Sequence, residues 1–514
     1  MESLTCDLFA LGMTSLHRAG LGGLVSTLRW IEKSLPDNER PPGQWTVDER
    51  SVTFGWEEAE AKLFFDRLFS LAFQIQEGLI YLPGQYGELA PRLEVRAALH
   101  DGLLSSFYGH GKSRGRGERS EERTYEIDEY VISLSYSPVS WYSPQRDGSS
   151  DVIKSLKKPV EVKRHLYPGA MQRHAAYPQS LAKQGAHLVL PLWFAPVGTI
   201  SLKTRGKDGK KNACALLIPD LQTLLGVEHE IQGLLPETAR DCQVDSVADA
   251  ALQAKLRLRM RNMLDSEKIA AIRCILFYRE AWNTKMTAPS MVLEVENATT
   301  DIGLDQFETA IAALPPPAPR PNMEGKYFWP KSYIRPLIAE NLALGRLWYA
   351  GFSQLMTAQD SGSHTPIRNY LYSERKGLST MTEEIQWDHP GEKAIVRAVH
   401  EAMRCRYGRI AAENARNQAA MKNRMTREYE RQRLAFAGAK TVDALRHALA
   451  DLWSRAGSNS VLREAWPKVL PLLSDEKWQL TRDLALIALA SYQGKEQENI
   501  DLTKTETDEG EEQQ

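Results

Sequence analysis

Residues 393–433 constrain the fold most: forty-one positions carrying eleven Lys/Arg and four Glu. At 100° per residue, Val399, Met403, Tyr407, Ile410, Met421, Met425 and Tyr429 fall on one narrow face. Arg406, Arg409, Arg416, Arg424, Arg427 and Arg431 fall on the face beside it. Helical throughout, the segment would be roughly 60 Å long, with Gly408 as the place where it would break. The apolar seam predicts packing on other helices. The basic ridge predicts a polyanion contact, against the alternative of a solvated face.

At 514 residues the chain is too long for one core, so two or three domains are expected. No run of eighteen apolar residues occurs, and the N-terminus lacks a basic region followed by an apolar stretch. No membrane segment and a cytoplasmic location are therefore expected. The five cysteines are scattered and never spaced as CxxC, which fits a reducing compartment and argues against a zinc finger. The net charge of −2 conceals a tail: residues 495–514 hold eight acids and two lysines, with too few apolar groups to offset ordering entropy. Residues 494–514 are expected to be an acidic disordered tail.

Along the chain, residues 4–11 read as a strand. His17-Arg18-Ala19-Gly20-Leu21-Gly22-Gly23-Leu24 then opens a helix. Its glycines fail the dinucleotide fingerprint, because Val25 stands where the third glycine belongs; close packing on a neighbouring helix is the favoured reading. Residues 57–78 and 92–107 read as amphipathic helices. The run from Gly109 to Arg119 imitates a phosphate-binding loop at Gly111-Lys112-Ser113, but Ser106 replaces the required glycine and no apolar helix follows. What remains is a mobile Gly/Arg loop with Lys112, Arg114, Arg116 and Arg119 suited to phosphate contact. Residues 124–142 alternate as strands. Residues 187–202 read as two strands or a hairpin around Pro196 to Gly198. Lys203, Arg205, Lys207, Lys210 and Lys211 then form a second basic tip, with 213–218 as its return strand. Residues 247–264 carry Lys255, Arg257, Arg259 and Arg261, whose spread around a helix predicts an interfacial element. Strands follow at 273–278 and 290–295.

Pro315 to Pro321 makes 315–330 the expected linker between a body at 1–314 and a helical bundle at 331–493. Helices are expected at 334–356, in the basic segment, at 441–456 and from Ser474 on, with an irregular Ser/Gly segment at 359–387 and a bundle of four to five members. The fold class is thus α+β: a mixed N-terminal body of antiparallel strands and helices, then a C-terminal helical bundle.

Catalytic signatures are poor. His100-Asp101 has no companion ligands, His400-Glu401 lacks the second histidine of a zincin, and neither GxSxG nor a deaminase motif occurs. No catalytic residue, metal or cofactor is expected. The alternative is a metal-dependent nuclease using Asp151, Glu161 and Lys163, because an Asp followed by Glu-x-Lys on a strand can hold a metal and place a lysine near the attacking water. A general nucleic-acid-binding scaffold is a further alternative.

The HRAGLGGL run after a short strand resembles the N-terminal signature of the large subunit of type I CRISPR interference complexes (Cascade), in its MYXAN-type branch. Trp282-Asn283-Thr284-Lys285 between two strands is similar too, as is the order of α+β body then bundle. The resemblance implies a noncatalytic subunit that recognises the protospacer-adjacent motif (PAM), helps open the duplex and offers a surface to a helicase-nuclease or to transposition proteins. Its implied partners are CRISPR RNA, target double-stranded DNA, the displaced strand and the other Cascade subunits. Pairing with the guide reads sequence while protein reads the PAM.

Overall fold

The computed structural model describes residues 2–494 except 89–90, 110–111, 118–120, 128–129, 163–182, 206–212, 262–267, 279–291, 297–300, 316–319, 322–326, 329 and 360–364. The 282–285 stretch and the acidic tail therefore lie outside it. Two compact units result: Met1–Thr300 with Pro316–Lys331, and Asp301–Pro315 with Ser332–Gln514.

In the first unit, β1 (Glu2–Asp7) enters an antiparallel sheet of order β1-β3-β2 with β2 (Gln44–Val47) and β3 (Ser51–Trp56). Between β1 and β2 runs α1 (Ser15–Ser34), the helix that the HRAGLGGL run opens. Its glycines serve close packing. A Cβ on Gly20 would lie 2.0 Å from the Pro191 carbonyl oxygen, and one on Gly23 would lie 2.5 Å from the Gly198 nitrogen. The helix start is held by His17. Its Nδ1 accepts the Thr14 backbone N–H at 3.2 Å, which puts the ring proton on Nε2, facing Gln184 Oε1 at 3.2 Å.

The second expected helix ends at Ala72. After α2 (Ala61–Ala72), β4 (Gln74–Gln76) and β5 (Leu79–Tyr81) form a tight hairpin whose two loop residues, Glu77 and Gly78, have φ of 55° and 75°. Phe64 and Phe65 of α2 pack on Trp56 in an aromatic core. Next come α3 (Pro83–Tyr86), α4 (Leu93–Ser105), and strands β6 (Arg114–Arg116), β7 (Glu121–Ile127), β8 (Tyr130–Tyr136) and β9 (Val139–Tyr142). Strands β7 and β8 pair with each other, and β6 pairs with β9. Then α5 (Ser149–Lys157) precedes the short pair β10 (Val160–Glu161) and β11 (Lys183–Gln184).

Residues 187–202 are not a hairpin. They form α6 (Ala186–Gly198) followed by β12 (Ile200–Thr204). Nearly every residue of α6 is buried, so no polar face marks either period, and Pro191 and Pro196 lie inside the helix rather than ending it. Gln85 satisfies its last turn, donating from Nε2 to the carbonyls of Pro196 (3.1 Å), Val197 (3.2 Å) and Thr199 (2.8 Å). The central sheet is completed by β13 (Ala213–Leu221), β14 (Gln243–Val244), β15 (Ile269–Tyr278) and β16 (Val292–Glu296), in the order β14-β12-β13-β15-β16. Only the β12–β14 pair is parallel. β13 is buried at all but Asp220, as expected of a strand covered on both faces. Helices α7 (Val227–Leu234) and α8 (Val247–Met260) flank β14 in sequence. Within the expected linker, β17 (Arg320–Pro321) pairs with β18 (Tyr327–Phe328).

The second unit holds nine α-helices among the described residues, more than the four to five expected. The first, α9 (Asp301–Ala313), precedes the proline run yet packs with this unit. The single helix expected at 334–356 is α10 (Ile334–Ala343) and α11 (Phe352–Thr357), separated by Gly345 and Gly351 at positive φ. The segment expected to be irregular contains α12 (Ile367–Glu384). Leu371, Leu378 and Met381 are its buried apolar residues, too sparse a stripe to stand out, and Gly377 lets it approach the Ala313 carbonyl of α9. Then follow α13 (Pro390–Glu413), α14 (Gln418–Ala437), α15 (Val442–Ala456), α16 (Ser460–Val469) and α17 (Trp478–Ser491). Residues 484–490 of α17 are all buried, so its apolar surface runs all round, and α11 to α15 pack about it. The architecture is α+β, with antiparallel sheets in the N-terminal part and helices in the C-terminal part.

Candidate nucleic-acid interface

The long basic helix is two helices. The break falls at Asn414–Asn417 rather than at Gly408, which lies within α13 with open space where a Cβ would be. Asn417 caps α14, its Oδ1 accepting the Ala420 N–H at 3.0 Å, a local signal for a helix start that the longer periodicity masked. The chain doubles back, pairing Arg406 with Glu428 (3.3 Å) and Glu413 with Arg424 (2.8 Å). Part of the seam is core as expected: Val399, Met403 and Ile410 are buried, while Tyr407, Met421, Met425 and Tyr429 are half-buried.

Doubling back divides the ridge. Arg406 and Arg431 share the carboxylate of Glu428, the latter at 2.6 Å, and Arg431 also lies 3.7 Å from Asp451. Arg409 donates to the Arg455 carbonyl at 2.8 Å. Arg424 pairs with Glu413, both more than half exposed. Arg416 and Arg427 are exposed and make no ion pair among the described residues, and Lys422 joins them. The sequence reading missed Lys422, which lies off the arginine face of a straight helix.

In the first unit, the Gly/Arg run is not a free loop. Arg114 and Arg116 lie on β6, opposite Tyr142 and Val139. Ser113 accepts through its carbonyl from the Ser143 N–H at 2.8 Å, and a Cβ on Gly115 would meet the Trp141 indole at 2.4 Å. Gly115 thus lets the strand lie close on Trp141, which composition cannot distinguish from mobility. Lys112 is exposed beside it. Arg146 stacks over Trp141 at 4.2 Å, a contact with no sequence signal. Arg119 lies outside the described residues.

The second tip is framed by Thr204 opposite Ala213, and Lys207, Lys210 and Lys211 lie outside the described residues. Two cations at its base are structural: Lys203 pairs with Asp101, and Arg205 pairs with Asp245 at 2.9 Å, both of the latter fully buried. On α8, Lys255 is buried, and burial lowers the Arg257 pKa as its Nε donates to the Leu234 carbonyl at 3.2 Å. Arg261 donates to the Gln232 carbonyl at 2.9 Å. These two arginines hold the C-terminal carbonyls of α7, the interfacial role that their spread predicts.

His100 is a core residue. Its Nδ1 accepts the Ile80 N–H at 3.0 Å, its Nε2 donates to the Ser137 carbonyl at 2.9 Å, and burial pushes its pKa down. Asp151 is buried on α5, a helix rather than a strand, Glu161 is exposed on β10, and Lys163 lies outside the described residues. Among the described residues no three His, Cys, Asp or Glu side chains are grouped to hold a metal, and no helix is long and apolar enough to cross a membrane.

A DevT N-terminal domain model matches residues 5–193, and a DevT C-terminal domain model matches residues 383–514. The CRISPR-associated protein Cas8a1/Csx13 of Myxococcus xanthus (strain DK1622) is 35% identical to this chain, over 97% of it and 90% of the relative. Identity at that level over nearly the whole length, with both DevT domains in order, places the chain in the CRISPR-associated Cas8a1/Csx13 family, the MYXAN-type large subunits.

Proposed function

We propose that this chain is the noncatalytic large subunit of a cytoplasmic, RNA-guided type I complex, which recognises the PAM, stabilises the R-loop and docks effector proteins. The observation that carries this reading is the similarity to Cas8a1/Csx13 over 97% of the chain. Guide RNA, target duplex, displaced strand, the other Cascade subunits and a helicase-nuclease or transposition proteins are its partners.

The charge distribution supports a division of labour. Arg416, Lys422 and Arg427, exposed and without acid partners among the described residues, suit phosphate contacts along a displaced strand. An exposed pair such as Arg424–Glu413 is worth only about 0–1 kcal/mol, so a phosphate competes with the carboxylate. Arg406, Arg409 and Arg431 add positive potential while holding the helices together. In the first unit Lys112, Arg114, Arg116 and Arg119 are assigned to the PAM duplex, with Lys207, Lys210 and Lys211 as the competing tip.

Salt dependence of R-loop binding by the assembled complex tests this. Replacing Arg416, Arg424 and Arg427 by Ala should make the slope of log K against log salt shallower, by about 0.7 per lost single-strand phosphate contact. PAM discrimination should survive. An unchanged slope would mean that these arginines are merely solvated.

A further inference from the structure

Resting on the reading of the second unit as a nucleic-acid surface, we propose that Tyr372, Arg375 and Tyr429 form a stacking platform for unpaired bases. Arg375 of α12 holds its guanidinium 4.5 Å from the centre of the Tyr372 ring and 5.8 Å from that of Tyr429 on α14. The two rings are 6.3 Å apart and inclined by 41°. Arg375 makes no ion pair among the described residues, and its Nε is buried without a hydrogen-bond partner. The two ring faces are thus what its half-buried guanidinium lies against among the described residues. That is unlike its neighbours, where Arg404, Arg406, Arg424, Arg431 and Arg433 each face a carboxylate.

Tyr372 is 46% exposed, although a ring in a purely structural stack gains by being covered. The guanidinium already lies over both rings, so a base is received on the outward face of Tyr372. Arg368 and Lys376, one helical turn to either side of Tyr372 on α12, make no ion pair among the described residues. Lys422 lies two turns before Tyr429 on α14. Cations thus flank an aromatic face, the arrangement that suits a single strand: backbone between charges, base on the ring. The helix that carries Tyr429 is tied to α13 by Tyr407. Tyr407 donates its hydroxyl to the Met425 carbonyl at 3.3 Å and packs edge-on against Tyr492 at 5.5 Å. Every base has a π-face, so the platform holds nucleotides without reading their sequence.

The full-length chain is titrated against a labelled oligothymidine and an abasic deoxyribose-phosphate oligonucleotide of the same length. The wild type should bind the base-bearing strand roughly tenfold more tightly, the scale of one stacked base. Tyr372→Ala and Tyr372→Leu should abolish that ratio and leave the salt slope unchanged, while Tyr372→Phe should keep it. Tyr372→Leu retains apolar contact, so it separates loss of the aromatic face from loss of packing. Equal binding of both strands by the wild type, an unaltered ratio in Tyr372→Leu, or no binding of either strand would overturn the platform. R-loop formation by the complex is a separate readout. If it is intact while the ratio is one, the platform alone falls; if the ratio holds but the complex makes no R-loop, the function proposed above falls.

Discussion

Arg205 and Asp245 form an ion pair at 2.9 Å with neither side chain exposed to solvent. Arg205 also donates from Nη2 to the Gln243 carbonyl at 2.8 Å, tying the end of β12 to β14 just before the segment whose sequence holds Lys207, Lys210 and Lys211. Removing one partner breaks a fully buried ion pair, which costs far more than losing an exposed one. Arg205→Ala should therefore cost about 3–5 kcal/mol in chemical denaturation. Replacing Lys207, Lys210 and Lys211 by Ala should leave the midpoint unchanged and weaken duplex binding if the tip engages the PAM. Equal midpoints for Arg205→Ala and wild type would contradict the first expectation.

Two glycines should respond oppositely to alanine. Gly20 faces the Pro191 carbonyl, where a Cβ would lie at 2.0 Å, so Gly20→Ala forces α1 from α6 and should lower stability by about 1–3 kcal/mol. Gly408 lies within α13 with nothing within 4 Å of its missing Cβ, so Gly408→Ala should raise stability by roughly 0.5–1 kcal/mol. Urea midpoints of the two variants against wild type check both signs.

Acid should weaken the fold through two buried histidines. Burial lowers the pKa of His17 to about 4, and that of His400 to about 4, from 6.5. Between those values the unfolded chain binds protons that the folded chain refuses. The stabilising contribution is complete above pH 6.5 and is lost as pH falls from 6.5 towards 4. In urea titrations over that window, His17→Asn should flatten the decline for the first unit and His400→Asn for the second. An undiminished pH slope in both would contradict the assignment.

No divalent metal should confer cleavage. With Asp151 on a helix and no three ligating side chains grouped among the described residues, the purified chain should leave plasmid and linear DNA intact in Mg²⁺ or Mn²⁺. Metal-dependent cutting abolished by Glu161→Ala would reverse this.

Elements marked by one clear period, or by glycine and turn chemistry at their ends, were legible in the sequence. Strand β13, helix α15 ending at Gly457, and the glycine-faced α1 lie where pattern and turn chemistry put them. Helix α6 was not legible, because burial on all sides erases the polar face that distinguishes a helix from strands. Helix α12 was missed for the opposite reason, a core stripe of only Leu371, Leu378 and Met381 beside Gly377. At the basic segment, charge density was legible but availability was not. Glu428 lies twenty-two residues beyond Arg406 and meets it only because the chain reverses at Asn414–Asn417. A helical projection contains no such reversal. Tyr372 and Tyr429 likewise meet across two helices, through an arginine that sequence offers no reason to single out.

The most direct test is R-loop formation by the guide-loaded complex, assembled with and without this chain, on target duplexes carrying or lacking the PAM. Permanganate footprinting of the displaced strand reads the opening. The account predicts strand opening only with the chain present, stronger on the PAM-bearing duplex, and reduced when Arg416, Arg424 and Arg427 are replaced by Ala. Equal opening without the chain, or opening indifferent to the PAM, would contradict it.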